Sequence, residues 1–355
     1  MAWYAKGSTQ PTEDGMKKRI CMIATGGTIA SQASGAGLSP SLRPEDILRF
    51  LPALSDVCDI ETLEVCRIDS TNMTPAHWLM IARALRSRYA DCDGFVILHG
   101  TDTMAYTAAA LSYLVQQSPK PIVLTGAQKP IDREITDSKT NLLGAFLYAC
   151  SPDATGVQIV FDGKVILGTR ARKVRTKSFH AFTSINYPEL ATLCDGELLQ
   201  YIREPKASAP IFYDALCGRV SLIKLIPGAD AAQLDFLLSK SDAVIIESYG
   251  VGGVPTAGGF LESIADAAER GKTIVMTTQV QSEGSDLGVY QVGYHLKGAA
   301  GVLEAYDMTT EAVVTKLMWI LGQTHVRSKI ERLFYTPVAH DILYAGKRAA
   351  SVPGV

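Results

Sequence analysis

Residues 20–30 read ICMIATGGTIA, an apolar run (Ile20, Met22, Ile23) that passes straight into Thr25-Gly26-Gly27-Thr28. A short apolar run closed by two glycines predicts a buried strand that delivers its end to a turn. The arrangement returns at 95–103, where Phe95-Val96-Ile97-Leu98 leads into His99-Gly100-Thr101-Asp102-Thr103. Ligands of open α/β sheets bind outside the carboxyl ends of the strands. Two Gly-Thr turns at two such ends would therefore open onto one rim.

Working outward, further strands are expected at 19–24, 94–98, 121–125, 220–225, 243–247 and 273–277. Amphipathic stretches lie between them. One starts at Thr74-Pro75, an N-cap followed by proline, and carries Trp78, Ile81, Leu85 and Tyr89 at helical spacing. Others cover 141–150 and the segment after Asp307-Met308-Thr309-Thr310. Such alternation predicts an α/β fold with a mostly parallel N-terminal sheet flanked by helices. The stretch VQIVF-DG-KVILG at 157–168 predicts a β-hairpin within it. The proline-bearing segment near QYIREPKASAP separates this series from a smaller C-terminal parallel α/β domain. The expected organisation is an extension or tag at 1–15, a catalytic α/β domain at 16–196, a linker at 197–217 and the C-terminal domain at 218–355.

Composition narrows the function classes. With 355 residues, 47% hydrophobic and 20% charged, the chain can bury a sizeable core. A net charge of −2 gives no basic footprint for nucleic acid. The longest apolar runs, about eight residues, are too short to cross a bilayer, and the first fifteen residues lack the apolar middle of a signal peptide. Seven Cys without a CxxC pair favour reduced cytoplasmic thiols over a disulfide framework, and six scattered His show no metal-ligand spacing.

The turns themselves allow more than one reading. Glycines let a backbone approach a ligand closely, and their N–H groups can form an oxyanion cradle; a plain tight turn would look the same. The segment GGTIAS lacks the G-x-G-x-x-G register of a dinucleotide site. Asp102 beside Thr101 could cap the following helix as well as act in chemistry. Cys66-Arg67-Ile68-Asp69-Ser70-Thr71-Asn72 is either a polar turn with a cap or a set of hydrogen-bonding groups for a small polar ligand. A threonine hydroxyl needs a base or cation to become a nucleophile, and Thr169-Arg170-Ala171-Arg172-Lys173 supplies cations, although such a run also suits a solvated face. No G-x-S-x-G elbow occurs.

In order, ATGGTIAS, DSTNMTP, GFVILHGTDTMAYTAAALSY, PIVLTGAQKPI, the Lys173 region, ESYGVGG and DMTTEAVVTKL resemble the bacterial type I L-asparaginases over nearly all of 17–325. The resemblance implies hydrolysis of L-asparagine to L-aspartate and ammonia, without metal or cofactor, by a homodimer or homotetramer. Thr28 then looks like the nucleophile that forms an acyl-enzyme. Thr101, Asp102 and Lys173 look like the second, proton-handling group, with Gly27 and Gly100 lining the site. Ser70 and Thr71 resemble the pair that holds the substrate's α-carboxylate, and Asp102 the carboxylate that holds its α-ammonium. A broader glutaminase-asparaginase, the asparaginase-like component of an archaeal transamidation complex and a catalytically silent amino-acid-binding protein are the competing readings.

The sequence departs from the pattern of that family at four positions. The lid after TGGT has Leu38 where many relatives carry tyrosine, and Tyr290 is a candidate substitute. Glu247 and Val280 replace the arginine and cysteine of the allosteric members, and Arg172 replaces a threonine before the lysine. The expectation is near-hyperbolic kinetics with no regulatory asparagine site of that kind.

Overall fold

The computed structural model describes residues 17–34, 37–289 and 301–344. The chain divides into two compact units, 1–214 and 215–355. In the first, strands β1 (Arg19–Gly26), β4 (Asp59–Ile68), β5 (Gly94–Leu98), β7 (Pro121–Thr125), β8 (Gly156–Phe161), β9 (Lys164–Leu167), β12 (Ala191–Cys194) and β13 (Glu197–Gln200) form one sheet. Its order is β13-β12-β9-β8-β7-β5-β1-β4. The five strands from β8 to β4 are mutually parallel, whereas the β9, β12 and β13 pairings are antiparallel. Four short strands stand outside this sheet: β2 (Ser31–Ser34) pairs with β3 (Gly37–Pro40), and β6 (Val115–Gln116) with β14 (Ile211–Phe212). A further pair, β10 (Ala171–Lys173) with β11 (Phe182–Ser184), carries the lysine expected in the site.

Strands β5 and β7 are buried at every position and β1 at all but Arg19, as expected for apolar runs covered on both faces. Ile20, Met22, Val96, Leu98 and Val123 meet Leu142, Ala145 and Phe146 of the helix Ser138–Ala149 in one core. The expected hairpin forms, with Asp162 and Gly163 both at positive φ (51° and 71°). This is the backbone that a two-residue turn between twisted strands requires.

The 197–217 stretch expected as a linker instead begins with a strand. Asp195 and Gly196 repeat the positive-φ turn (53° and 79°) and fold β13 back on β12 at the sheet edge. Ile211–Phe212 also pairs within the first unit. Short edge strands need little apolar sequence, so their signal is weak.

In the second unit, Val220–Lys224, Ala243–Ser248, Thr273–Thr278 and Val302–Glu304 form a four-stranded parallel sheet in that order. The core joins Val244, Ile246, Ile274 and Met276 to Leu234, Leu238, Phe260 and Ile264 of the helices Ala231–Lys240 and Phe260–Glu269. A buried Lys316–Asp341 ion pair (2.7 Å) and a bond from Lys316 Nζ to Thr336 O tie the chain after the helix Arg327–Tyr335 to the helix Thr310–Gln323. The extension at 1–15 and Tyr290 lie outside the described residues.

Candidate active site

The neighbouring parallel strands β4, β1 and β5 end together, and their three following turns touch backbone to backbone. A Cβ on Gly26 would lie 2.4 Å from Ile68 O, and one on Gly27 would lie 2.4 Å from Gly100 N. Both glycines have positive φ (105° and 82°), so side chains are excluded by strain as well as by space. A Cβ on Gly100 would meet Ser70 Oγ at 2.5 Å. Thr25 Oγ1 donates to Leu98 O (2.9 Å), binding the first turn to the end of β5. Thr103 Oγ1 donates to Ser70 O (2.7 Å), binding the turn after β5 to the turn after β4. Thr28 and Thr101 thus each follow by one residue the point where their turns meet.

Thr28 starts a single 3-10 turn, Thr28–Ala30, whose Ile29 and Ala30 are buried while Thr28 is only half-buried. The apolar pair anchors the turn in the core and leaves the hydroxyl-bearing residue partly exposed. Ser31 Oγ donates to Gly27 O (2.9 Å) and closes the turn. The Gly27 N–H donates to Ile68 O (3.1 Å). Gly27 is therefore committed to holding the turn, and its N–H is not a donor for an oxyanion.

Lys173 reaches the rim from β10, which lies outside the main sheet. Its Nζ donates to Thr101 Oγ1 (2.8 Å) and to Asp102 Oδ1 (2.7 Å). The lysine side chain is 16% exposed and the Asp102 side chain 56% exposed. The cation is thus mostly withdrawn, while the carboxylate keeps a face toward solvent and any bound ligand. Thr101 is buried and donates its own hydroxyl proton to Gln128 Oε1 (3.0 Å).

Ser70 is buried and Thr71 exposed, both in the short turn after β4. Asp69 Oδ1 accepts from Thr71 N (2.9 Å) and Thr71 Oγ1 (3.0 Å). The Thr71 hydroxyl proton is therefore directed at Asp69, while the buried Ser70 side chain packs against Gly100.

Behind the turns lies a buried histidine of the HGTDT stretch, to which the resemblance assigns no role. Burial pushes the His99 imidazole down to about 4, so the ring is neutral near pH 7. Gly100 O can only accept, so His99 Nδ1 carries the proton and donates to it (2.7 Å). His99 Nε2 then accepts from Thr107 Oγ1 (2.8 Å), which accepts from Trp78 Nε1 (2.9 Å). This directed chain fixes the carbonyl immediately before Thr101. Gln128 lies in the PIVLTGAQKPI stretch, three residues after the end of β7, without a role assigned to it by the resemblance, and Asp137 lies outside the quoted stretches.

The rim thus carries two threonines, one of them bonded to a lysine that also holds an aspartate. An α/β fold with this rim is the setting of an amidohydrolase, and the comparisons with known proteins agree. Residues 19–207 match the family model described as "Asparaginase, N-terminal", and residues 219–334 match "Glutaminase/Asparaginase C-terminal domain". The chain belongs to the asparaginase family. It is 38% identical to the L-asparaginase of Thermococcus kodakarensis over 91% of this chain and 99% of that one. The solved structure of the thermostable T. kodakarensis L-asparaginase covers 92% of this chain and 99% of its own, with a TM-score of 0.85 and 37% identity. Identity to L-asparaginase 1 of Escherichia coli K12 is 36%, covering 86% of this chain and 93% of that one. A glutamyl-tRNA(Gln) amidotransferase component of Pyrococcus furiosus is 34% identical, with 91% of this chain and 76% of that one covered.

Proposed function

We infer that the chain is an L-asparaginase whose two rim threonines divide the work. Thr28 Oγ1 attacks the side-chain carbonyl carbon of asparagine, ammonia leaves, and water releases aspartate from the resulting ester. Thr101, Asp102 and Lys173 move the protons: one leaves the attacking hydroxyl or water, and one must reach the departing amine. The carrying observation is the Lys173 ammonium bonded at once to Thr101 Oγ1 and Asp102 Oδ1.

The remaining site groups suit a small zwitterion. Asp102 keeps an exposed face for the α-ammonium, and Ser70, in the turn after β4 beside Gly100, is assigned to the α-carboxylate. Such a ligand has little apolar surface, so directional charge-assisted bonds position it. Because the Gly27 N–H is committed to Ile68 O, we assign the oxyanion to the N–H groups of Thr28 and Thr101. A silent binding protein would have no use for a lysine aimed at a buried threonine hydroxyl.

Ammonia release from asparagine, with glutamine in parallel, tests the reading. Thr28→Ala and Thr101→Val are each expected to lower kcat by roughly 10³-fold or more, the scale of losing a nucleophile or its proton partner. Background rates with both amides in the unmodified protein would refute an amidohydrolase function. A glutamine rate equal to that with asparagine would favour the broader glutaminase-asparaginase instead; one methylene is worth only about 1–3 kcal/mol of discrimination.

A further inference from the structure

We propose that Gln128 is a positioning residue for the reaction: its side-chain carbonyl sets the direction of the Thr101 hydroxyl. This rests on the reading of Thr101 and Lys173 as the proton-handling pair. Thr101 Oγ1 accepts from Lys173 Nζ (2.8 Å) and donates to Gln128 Oε1 (3.0 Å). A hydroxyl has one proton and two lone pairs. With the proton on Gln128 and one lone pair on the ammonium, a single lone pair remains, and it has a fixed direction. Without the Gln128 acceptor the O–H is free to rotate about its C–O bond, and the orientation of that lone pair is lost.

The amide itself cannot turn over. Gln128 Nε2 donates to Ser178 O (3.2 Å), an atom that only accepts, so the other end of the amide must be the oxygen. The backbone below is equally fixed. Asp137, buried in the turn before the helix Ser138–Ala149, accepts from Gln128 N (2.9 and 3.1 Å to its two oxygens), Lys129 N (3.0 Å) and Asn141 Nδ2 (3.2 Å). Asn141 in turn donates to Gly126 O (3.0 Å) and accepts from Asp162 N (2.8 Å). The loop after β7 is thereby bound to the helix and to the hairpin turn, and it presents one acceptor to Thr101.

Two variants separate this role from simple loop bracing. Gln128→Met keeps the length but offers no acceptor; Gln128→Glu keeps an acceptor for Thr101 but loses the donor to Ser178 O. If the acceptor matters, Gln128→Met lowers kcat for asparagine about tenfold with KM within about twofold, the scale of one oriented hydrogen bond. Gln128→Glu then restores at least about half of that loss on a logarithmic scale. If bracing Ser178 is the whole role, both variants fall together, and the proposal is overturned. It is equally overturned if Gln128→Met keeps full kcat while Thr101→Val abolishes activity, an outcome that leaves the hydrolase reading intact. Thermal midpoints of both variants within a few degrees of the parent protein ensure that kcat reports the site.

Discussion

The neutral, buried His99 makes a quantitative prediction about acid stability. An unfolded histidine titrates near 6.5, whereas burial holds the folded ring at about 4. Between these values the unfolded chain binds a proton that the folded chain does not, so this residue makes stability fall as pH falls. The stability is fully present above pH 6.5 and is lost progressively toward pH 4. A difference of about 2.5 pH units at 1.36 kcal/mol each sets a limit of about 3 kcal/mol, of which about 2.5 kcal/mol is gone by pH 4.5. His99→Asn has no titration in this range, and its amide can still donate to Gly100 O. Urea unfolding of both proteins between about pH 4.5 and 7.5 supplies the test. At neutral pH the parent should be more stable, because the variant leaves Thr107 without its acceptor. As pH falls, that advantage should shrink by about 2.5 kcal/mol and reverse if it began smaller than this. Buried Asp137, whose carboxyl is raised by burial despite its amide bonds, acts with the opposite sign but is common to both proteins and cancels. A gap that stays constant within about 0.5 kcal/mol over the whole range would sink the assignment of His99 as a neutral ring.

Two other perturbations follow from the rim and from the second unit. Gly27→Ala would place a methyl 2.4 Å from Gly100 N at a φ of 82°; strain of about 1–3 kcal/mol before any clash should lower the melting temperature by several degrees and reduce asparagine turnover at least about 100-fold. An unchanged melting curve would show that the two turns can separate freely. In the second unit the resemblance leads one to expect an arginine at position 247 in an allosteric member; the residue here is Glu247, whose buried carboxylate accepts from Thr310 Oγ1 (2.6 Å). Asparagine saturation should accordingly be hyperbolic, with a Hill coefficient near 1; sigmoidal initial rates would contradict this.

Where burial is complete, the strands can be read directly. The apolar runs of β1, β5 and β7 mark their positions to within two residues, and Asp162-Gly163 marks its hairpin. Asp195-Gly196 carries the same turn chemistry, but ATLC is only partly covered and ELLQ is the edge strand, and neither has a dominant apolar run. On pattern alone 197–200 therefore falls into the linker. Hydrophobic periodicity reports burial rather than pairing, so an edge strand leaves a weak trace.

The site shows the same division more sharply. Thr28, Ser70, Thr101 and Gln128 all follow carboxyl ends of parallel strands, so one topological rule collects them, and applying it to β7 leads to Gln128. Lys173 obeys no such rule. It lies 72 residues from Thr101 in a pair of three-residue strands, β10 and β11, outside the main sheet. Only family resemblance separates it in the sequence from a solvated basic run. The sheet can therefore align hydroxyls by its own regularity, but the cation that acts on them depends on the register Lys173↔Phe182. Phe182 is buried against Phe161 at 5.0 Å between ring centroids. The aromatic contact packs the small strand pair against the expected hairpin, so core packing places the backbone that carries Lys173, and the bonds to Thr101 and Asp102 then fix its ammonium.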